Sequence, residues 1–287
     1  MPAESLSLLA PAKLNLFLHI TGRREDGYHQ LQTLFQLLDY GDQMKFERAE
    51  AGVISFHVNG AETTAAGAEI ASLPMDNNLV MTAARRLLAV AGAQSFGAKI
   101  SLHKRIPLGA GLGGGSSDAA LTLLALNRLW GLQLSEAQLS AIGIELGADV
   151  PLFIAGRSAW AEGIGEQLSP VELGDSWYLV ACPNCSVSTA EIFCDEHLTR
   201  NSQAIKMADF LAGSARNDCE SVTRRRYPQV DQAIKCLSQF AETRMTGTGS
   251  SIFARFDDEA SAQAVLAKLP GNLPGFVAKG IDSLPHG

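Results

Sequence analysis

Residues 107–120 read PLGAGLGGGSSDAA, and five of the seven positions 109–115 are glycine. Glycine loses more backbone freedom on folding than any other residue, so ordering such a run is costly and needs a compensating use. The run follows an alternating stretch, AKISLHK at 98–104, and precedes a helix-forming stretch from Ser116 to Trp130 that stops at Gly131. A strand, a glycine loop and a helix start in succession make an anion cradle. The first helical turn leaves backbone N–H groups unpaired and carries partial positive charge, and glycines let a phosphate come close to the backbone. Ser116 and Ser117 add hydroxyl donors, or a ligand for a Mg²⁺ that travels with nucleotide phosphates. The phosphate-binding residues expected on this reading are Pro107, Leu108, Gly109, Ala110, Gly111, Leu112, Gly113, Gly114, Gly115, Ser116 and Ser117. A Walker A loop is excluded, since no lysine follows the glycines. Gly109, Gly111 and Gly114 satisfy G-x-G-x-x-G, but a run this rich in glycine meets that pattern by accident. The plainer alternative is a tight strand-to-helix turn that needs positive φ angles.

A chain of 287 residues suggests two domains at about 150 residues each. The formal net charge of −7 argues against nucleic acid as the partner. No apolar run reaches the ~20 residues that span a bilayer. The apolar N-terminal stretch carries Glu4, Lys13 and Asn15, unlike an export signal. These features predict a soluble, cytoplasmic protein that engages neither membrane nor nucleic acid. The five cysteines are expected to be free thiols, because the number is odd and no export signal is present. CPNC at 182–185 has no second such pair to complete a zinc site, and it reads as the end of the strand WYLVAC.

Alternation predicts strands at 13–20, 53–58 and 98–104. In the first, Lys13, Asn15, Phe17 and His19 share one face. Helices are predicted over 78–91, 116–130 and 135–146, the middle one apolar almost all the way round and so buried. Beyond Gly156, SAWAEG, WYLVACP and SSIFARF read as strands, and residues 227–240 and 258–269 as helices. This mixture predicts an α+β fold, not a doubly wound parallel sheet. The expected domains are 1–155 and 156–287, packed closely because no long linker joins them.

Three segments, in order along the chain, carry a family resemblance. PAKLNLFLHITGRREDGYHQLQTLF at 11–35, the glycine run, and MTGTGSSIFARF at 245–256 resemble the three motifs of the GHMP kinases. LGADVPLF at 146–153 and STAEIF at 188–193 agree with one branch of that family, which acts on a cytidine-diphosphate-linked sugar alcohol. The resemblance implies a two-domain fold with a cleft between an N-terminal ATP-binding domain and a smaller substrate domain. It implies direct transfer of the ATP γ-phosphate, with Mg²⁺, to a substrate hydroxyl by a monomer or homodimer, with no covalent intermediate. It assigns Asp149 as the base and Lys13 as its charge partner, and gives no metal ligand. It puts Tyr28, His29 and Phe193 on the cytosine, with Asn15, Thr189 and Phe35 near the substrate and the GTGSS loop at 247–251 near substrate and phosphates. Each residue also has a plainer reading: a helix-capping aspartate, an exposed strand lysine, a core phenylalanine, a hairpin turn. Asn77 or Asn78 is a candidate for the adenine. Asp118 stands where the family often has asparagine, and its expected place is the first helical turn, where it suits the dipole.

Overall fold

The computed structural model describes residues 4–59, 78–92 and 96–284; Asn77 lies outside them. Compactness divides the chain differently from a single boundary after residue 155. One unit comprises residues 1–12, 41–108 and 113–156, and the other comprises 13–40, 109–112 and 157–287.

In the first unit, the end of β2 (His29–Arg48) and the strands β3 (Ile54–Val58) and β4 (Ala98–His103) form a sheet. β4 lies in the middle, antiparallel to β2 from Gln43↔His103 to Arg48↔Ala98 and parallel to β3 from Ile54↔Ala98 to Val58↔Leu102. The apolar face read in the sequence is buried, with Ala98, Ile100 and Leu102 at 0% exposure, and Ser101 on the opposite face is buried as well. The helices are α1 (Leu79–Val90), α2 (Gly114–Trp130), α3 (Glu136–Leu146) and α4 (Val150–Ala155). Asn78 caps α1 by accepting from the Val80 N–H, and Ser135 and Gln138 form a capping box on α3. α2 is buried on most sides, as its apolar circumference requires, and ends on left-handed Gly131.

The second unit takes in most of β1 (Ser5–Arg23) and the first half of β2. Its remaining strands are β5 (Ala159–Glu162), β6 (Gln167–Pro170), β7 (Trp177–Ala181), β8 (Thr243–Met245), β9 (Ile252–Phe256) and β10 (Gly275–Ile281). β7 lies between β10 and β9, with β8 beyond β9, and these pairs are all antiparallel. The helices are α5 (Thr189–Cys194), α6 (Met207–Leu211), α7 (Glu220–Arg226), α8 (Pro228–Leu237) and α9 (Glu259–Leu266). A core of Leu179, Ala181, Ile192, Val222, Ile234, Ile252 and Ala254 joins sheet and helices. The fold is α+β: among strand pairs with a described register, only β3–β4 is parallel.

The five cysteines are free, and CPNC begins where β7 ends. Among the described residues no helix is long and apolar enough to cross a membrane.

Candidate active site

Four of the five loop glycines have a structural reason. Gly109, Gly111 and Gly113 sit at φ of 61°, 74° and 73°, which L side chains rarely adopt. A Cβ on Gly111 would run into the carbonyl oxygen of Thr246. One on Gly114 would come within 2.9 Å of Ile106 Cγ2 and 3.0 Å of Lys104 Nζ. The plain reading of a tight turn therefore accounts for much of the run. Gly115 is different. Its φ is not positive, and an added Cβ would meet only Leu79 Cδ1 at an ordinary 3.5 Å. Helix α2 begins at Gly114, two residues before the expected start, and its N-cap Gly113 offers no side chain to its first N–H groups. Those donors and the bare Cα of Gly115 suit an anion.

The early start moves Asp118 out of the first turn, correcting its expected dipole role. Asp118 is 1% exposed and its Oδ2 lies 2.7 Å from Lys104 Nζ, itself 2.6 Å from Asp42 Oδ2. Asp42 Oδ1 also accepts the N–H groups of Arg105 and Ile106 at 2.5 and 2.8 Å. This buried triad braces the chain just before the glycine loop against the helix just after it. Burial opposes the Lys104 charge, but the two carboxylates outweigh it and hold the ammonium above its ordinary range. Asp118 is pushed up to about 8, by burial first and then by Asp42, with Lys104 opposing. Asp118 Oδ1 and the Ser117 Oγ are buried with no hydrogen-bond partner among the described residues.

In the second unit, three distant segments are knitted together. Lys13 N–H donates to the Leu112 carbonyl at 3.0 Å, and Ser251 N–H to the Ala110 carbonyl at 3.1 Å. The Thr246 hydroxyl accepts from the Asn15 N–H at 2.9 Å. The loop 246–251 thus connects the β8–β9 hairpin, its plainer reading, and also packs on the front of the glycine loop. Lys13 is 4% exposed, which excludes an ordinary surface lysine. Its ammonium donates to Asn15 Oδ1 at 2.5 Å and lies 5.3 Å from the centre of the Phe35 ring. Asn15 also donates to the Thr33 hydroxyl at 2.9 Å.

Farther along β1, a turn closed by Arg24 N–H donating to the Tyr28 carbonyl, with Gly27 at φ 90°, presents Tyr28 61% exposed. His29 stacks on Phe193 with ring centres 5.0 Å apart. Phe193 lies on α5 one turn after Thr189, so the two share a helix face. Thr189 shares a 3.1 Å hydroxyl contact with Thr248 of the 246–251 loop. Phe193 also leans on the unit's core, so its plainer reading holds in part. Sequence reasoning missed Arg200. Its Nε donates to His29 Nε2 at 3.1 Å, and its Nη2 donates to the carbonyls of Phe193 and Asp195 at 2.8 and 2.7 Å.

Asp149 belongs to the first unit, half-buried at the N-cap of α4. Its side chain makes no capping bond. Its φ and ψ of −84° and −12° are helical instead of extended, the geometry in which a cap side chain reaches back. The capping explanation therefore fails for this carboxylate. Among the described residues no three carboxylates, imidazoles or thiols gather as a metal site.

The GHMP kinases N terminal domain matches residues 78–157, and the GHMP kinases C terminal domain matches 197–275. The chain belongs to the GHMP kinase family. Among its curated relatives, the 4-diphosphocytidyl-2-C-methyl-D-erythritol kinase of Pseudomonas paraeruginosa is 54% identical, over 97% of this chain and 95% of the relative. The enzyme of the same name from Pseudomonas entomophila is 52% identical, over 96% and 93%. A crystal structure of 4-(cytidine 5′-diphospho)-2C-methyl-D-erythritol kinase superposes with a TM-score of 0.79 at 32% identity, covering 96% of this chain and 99% of that one. A mevalonate kinase structure, with TM-score 0.67 and 14% identity, shares the fold.

Proposed function

We propose that this protein transfers the γ-phosphate of ATP to the 2-hydroxyl of 4-diphosphocytidyl-2-C-methyl-D-erythritol, a step in non-mevalonate isoprenoid precursor synthesis. The observation that carries the substrate class is the His29–Phe193 stack beside exposed Tyr28. A flat base needs aromatic faces and a polar edge, and mevalonate or homoserine has no use for either. High identity over nearly the whole chain to enzymes of that name supports the reading.

Phosphoryl transfer asks mostly for positioning and charge stabilisation. The loop 107–117 holds the ATP phosphates on the N–H groups at the start of α2. Asp149 accepts the proton of the attacking hydroxyl, and Lys13 stabilises charge on the moving phosphoryl group. Asn15 holds Lys13 in its rotamer. Thr189 orients the substrate beside the base site. Mg²⁺ neutralises phosphate charge when bound. The ion would arrive on the nucleotide, with the half-buried Ser116 as the loop's oxygen donor, since the Ser117 hydroxyl is buried. The 1–155 and 156–287 division is kept as a functional one, with the ATP loop, Tyr28 and His29 on the first part and Thr189 and Phe193 on the second.

The test is ADP release from Mg·ATP with this cytidine substrate, with mevalonate and with homoserine in parallel. Turnover with the first alone supports the proposal, and turnover with either of the others removes the base site. Gly115→Ala is expected to fold with equal or slightly higher stability, since alanine favours a helix by about 0.5–1 kcal/mol. It should bind ATP about tenfold more weakly, because the added methyl enters the open space that this reading gives to the phosphates. Calorimetric ATP titration beside a thermal melt separates the two effects. Phe193→Ala and Tyr28→Ala should each raise KM for the cytidine substrate roughly 10–100-fold, the loss of one stacked base, and leave KM for ATP alone. Equal loss for both substrates would mean damaged folding instead.

A further inference from the structure

Arg200 lies outside every motif in the sequence, yet it touches both halves of the aromatic stack. A guanidinium carries donors only. Its Nη1 and Nη2 are engaged by the carbonyls of Leu198, Phe193 and Asp195, and its Nε points at His29 Nε2. A ring nitrogen that accepts from a guanidinium must present its lone pair there. The neutral imidazole then carries its single proton on Nδ1. Charging the ring would put a second proton on Nε2, directly against Arg200. Burial first, then the charges of Arg200 and Arg23, hold His29 below the ordinary imidazole range, so the ring stays neutral at pH 7.

We propose that Arg200 is a specificity-determining positioning residue: it locks His29 as an Nδ1–H donor, which suits the base site to cytosine and turns it against uracil. The inference rests on the base-site reading given above. Cytosine and uracil have the same faces and the same O2, so stacking cannot tell them apart. They differ at C4, an amine in cytosine and a carbonyl in uracil, and at N3, a lone pair in cytosine and an N–H in uracil, and the His29 donor reads N3. A fixed N–H donor pairs with the first and confronts the second, leaving a desolvated donor unpaired. An unlocked imidazole would swap tautomers and accept from uracil, and the distinction would vanish. The same guanidinium holds the backbone of Phe193, so ring and stacking face are set by one residue.

The test uses CDP and UDP, which differ only in the base, titrated calorimetrically into the full chain. The ring tautomer of His29 is read in parallel from ¹⁵N NMR. The wild type should show the Nδ1–H form and bind CDP about 10–100-fold more tightly than UDP. Arg200→Met should let the Nε2–H form appear and bring the ratio towards one. Phe193→Ala, which keeps Arg200, should weaken both ligands and keep the ratio. If Arg200 only braced α5, Arg200→Met would behave like Phe193→Ala, and the proposal would fail. It fails equally if the wild type shows the Nε2–H form or a ratio near one, results that need no variant to fold. Absence of binding by either diphosphate, with the Nδ1–H form present, would instead remove the base-site reading on which the discrimination depends.

Discussion

Asp149→Asn is expected to lower turnover by about 10²–10⁴-fold, the usual loss when a positioned general base is removed. KM for ATP and the unfolding midpoint should barely move. The structure makes this a clean experiment. A capping aspartate contributes about 1 kcal/mol through a bond to the second or third N–H of its helix. Asp149 makes no such bond, and the helix after it starts on Val150-Pro151, whose fixed φ favours the first turn without help. Asparagine keeps the shape and removes the charge and the basicity. Steady-state ADP release and a thermal melt on one preparation decide the matter, and near-normal turnover would take Asp149 out of the mechanism.

The second large effect concerns stability. Asp42 and Asp118 sit on the same buried ammonium but are not equivalent. Asp42 satisfies Lys104 and two backbone N–H groups, whereas one oxygen of Asp118 has no partner among the described residues. Asp42→Ala should cost about 3–5 kcal/mol, because it leaves two backbone donors without their acceptor and makes the buried ammonium rely on Asp118 alone. Asp118→Asn keeps an oxygen for Lys104 and is neutral, as Asp118 is while it holds its proton, so its cost should be small. The pH dependence follows from the sign of the shift. Asp118 is raised from 3.8 to about 8, so between those values the folded state holds a proton that the unfolded state has released. This contribution to stability is full below the lower value, declines as pH rises through the window and is gone above about 8. Urea unfolding at pH 5, 7 and 9 should show that decline in the wild type, and a smaller one in Asp118→Asn. Equal slopes in the two proteins would show that Asp118 does not hold the proton.

Local signals were legible where one side chain or one face decides. The alternation of Ile100 and Leu102 gave a strand, and Gly131 gave a helix end. β2 escaped notice although it is 20 residues long. Residues 32–38 are buried on both faces, so no alternation survives, and Gln32, Thr33 and Gln36 are buried polar residues with distant partners. Gln36, for example, donates to the Ser158 hydroxyl and the Ile281 carbonyl, 122 and 245 residues away. The site divides in the same way. Motif residues were read from their own pattern. Lys104, Asp42 and Arg200 were missed because their meaning lies in partners that no local window contains. Asp118 was read as a dipole effect because its lysine lies 14 residues back, across the loop.

The division of the chain also bears on its synthesis. Residues 13–40 emerge early from the ribosome, yet their compact unit is completed by residues 157–287. The Ile20 N–H, for instance, bonds to Asp218, 198 residues later. At about 5–20 residues per second, that partner appears roughly 10–40 s after its donor. Through that interval the apolar residues Leu14, Leu16, Leu18 and Ile20 are exposed on a nascent chain that cannot yet bury them. This stretch is where a chaperone that binds extended apolar segments would engage the growing polypeptide.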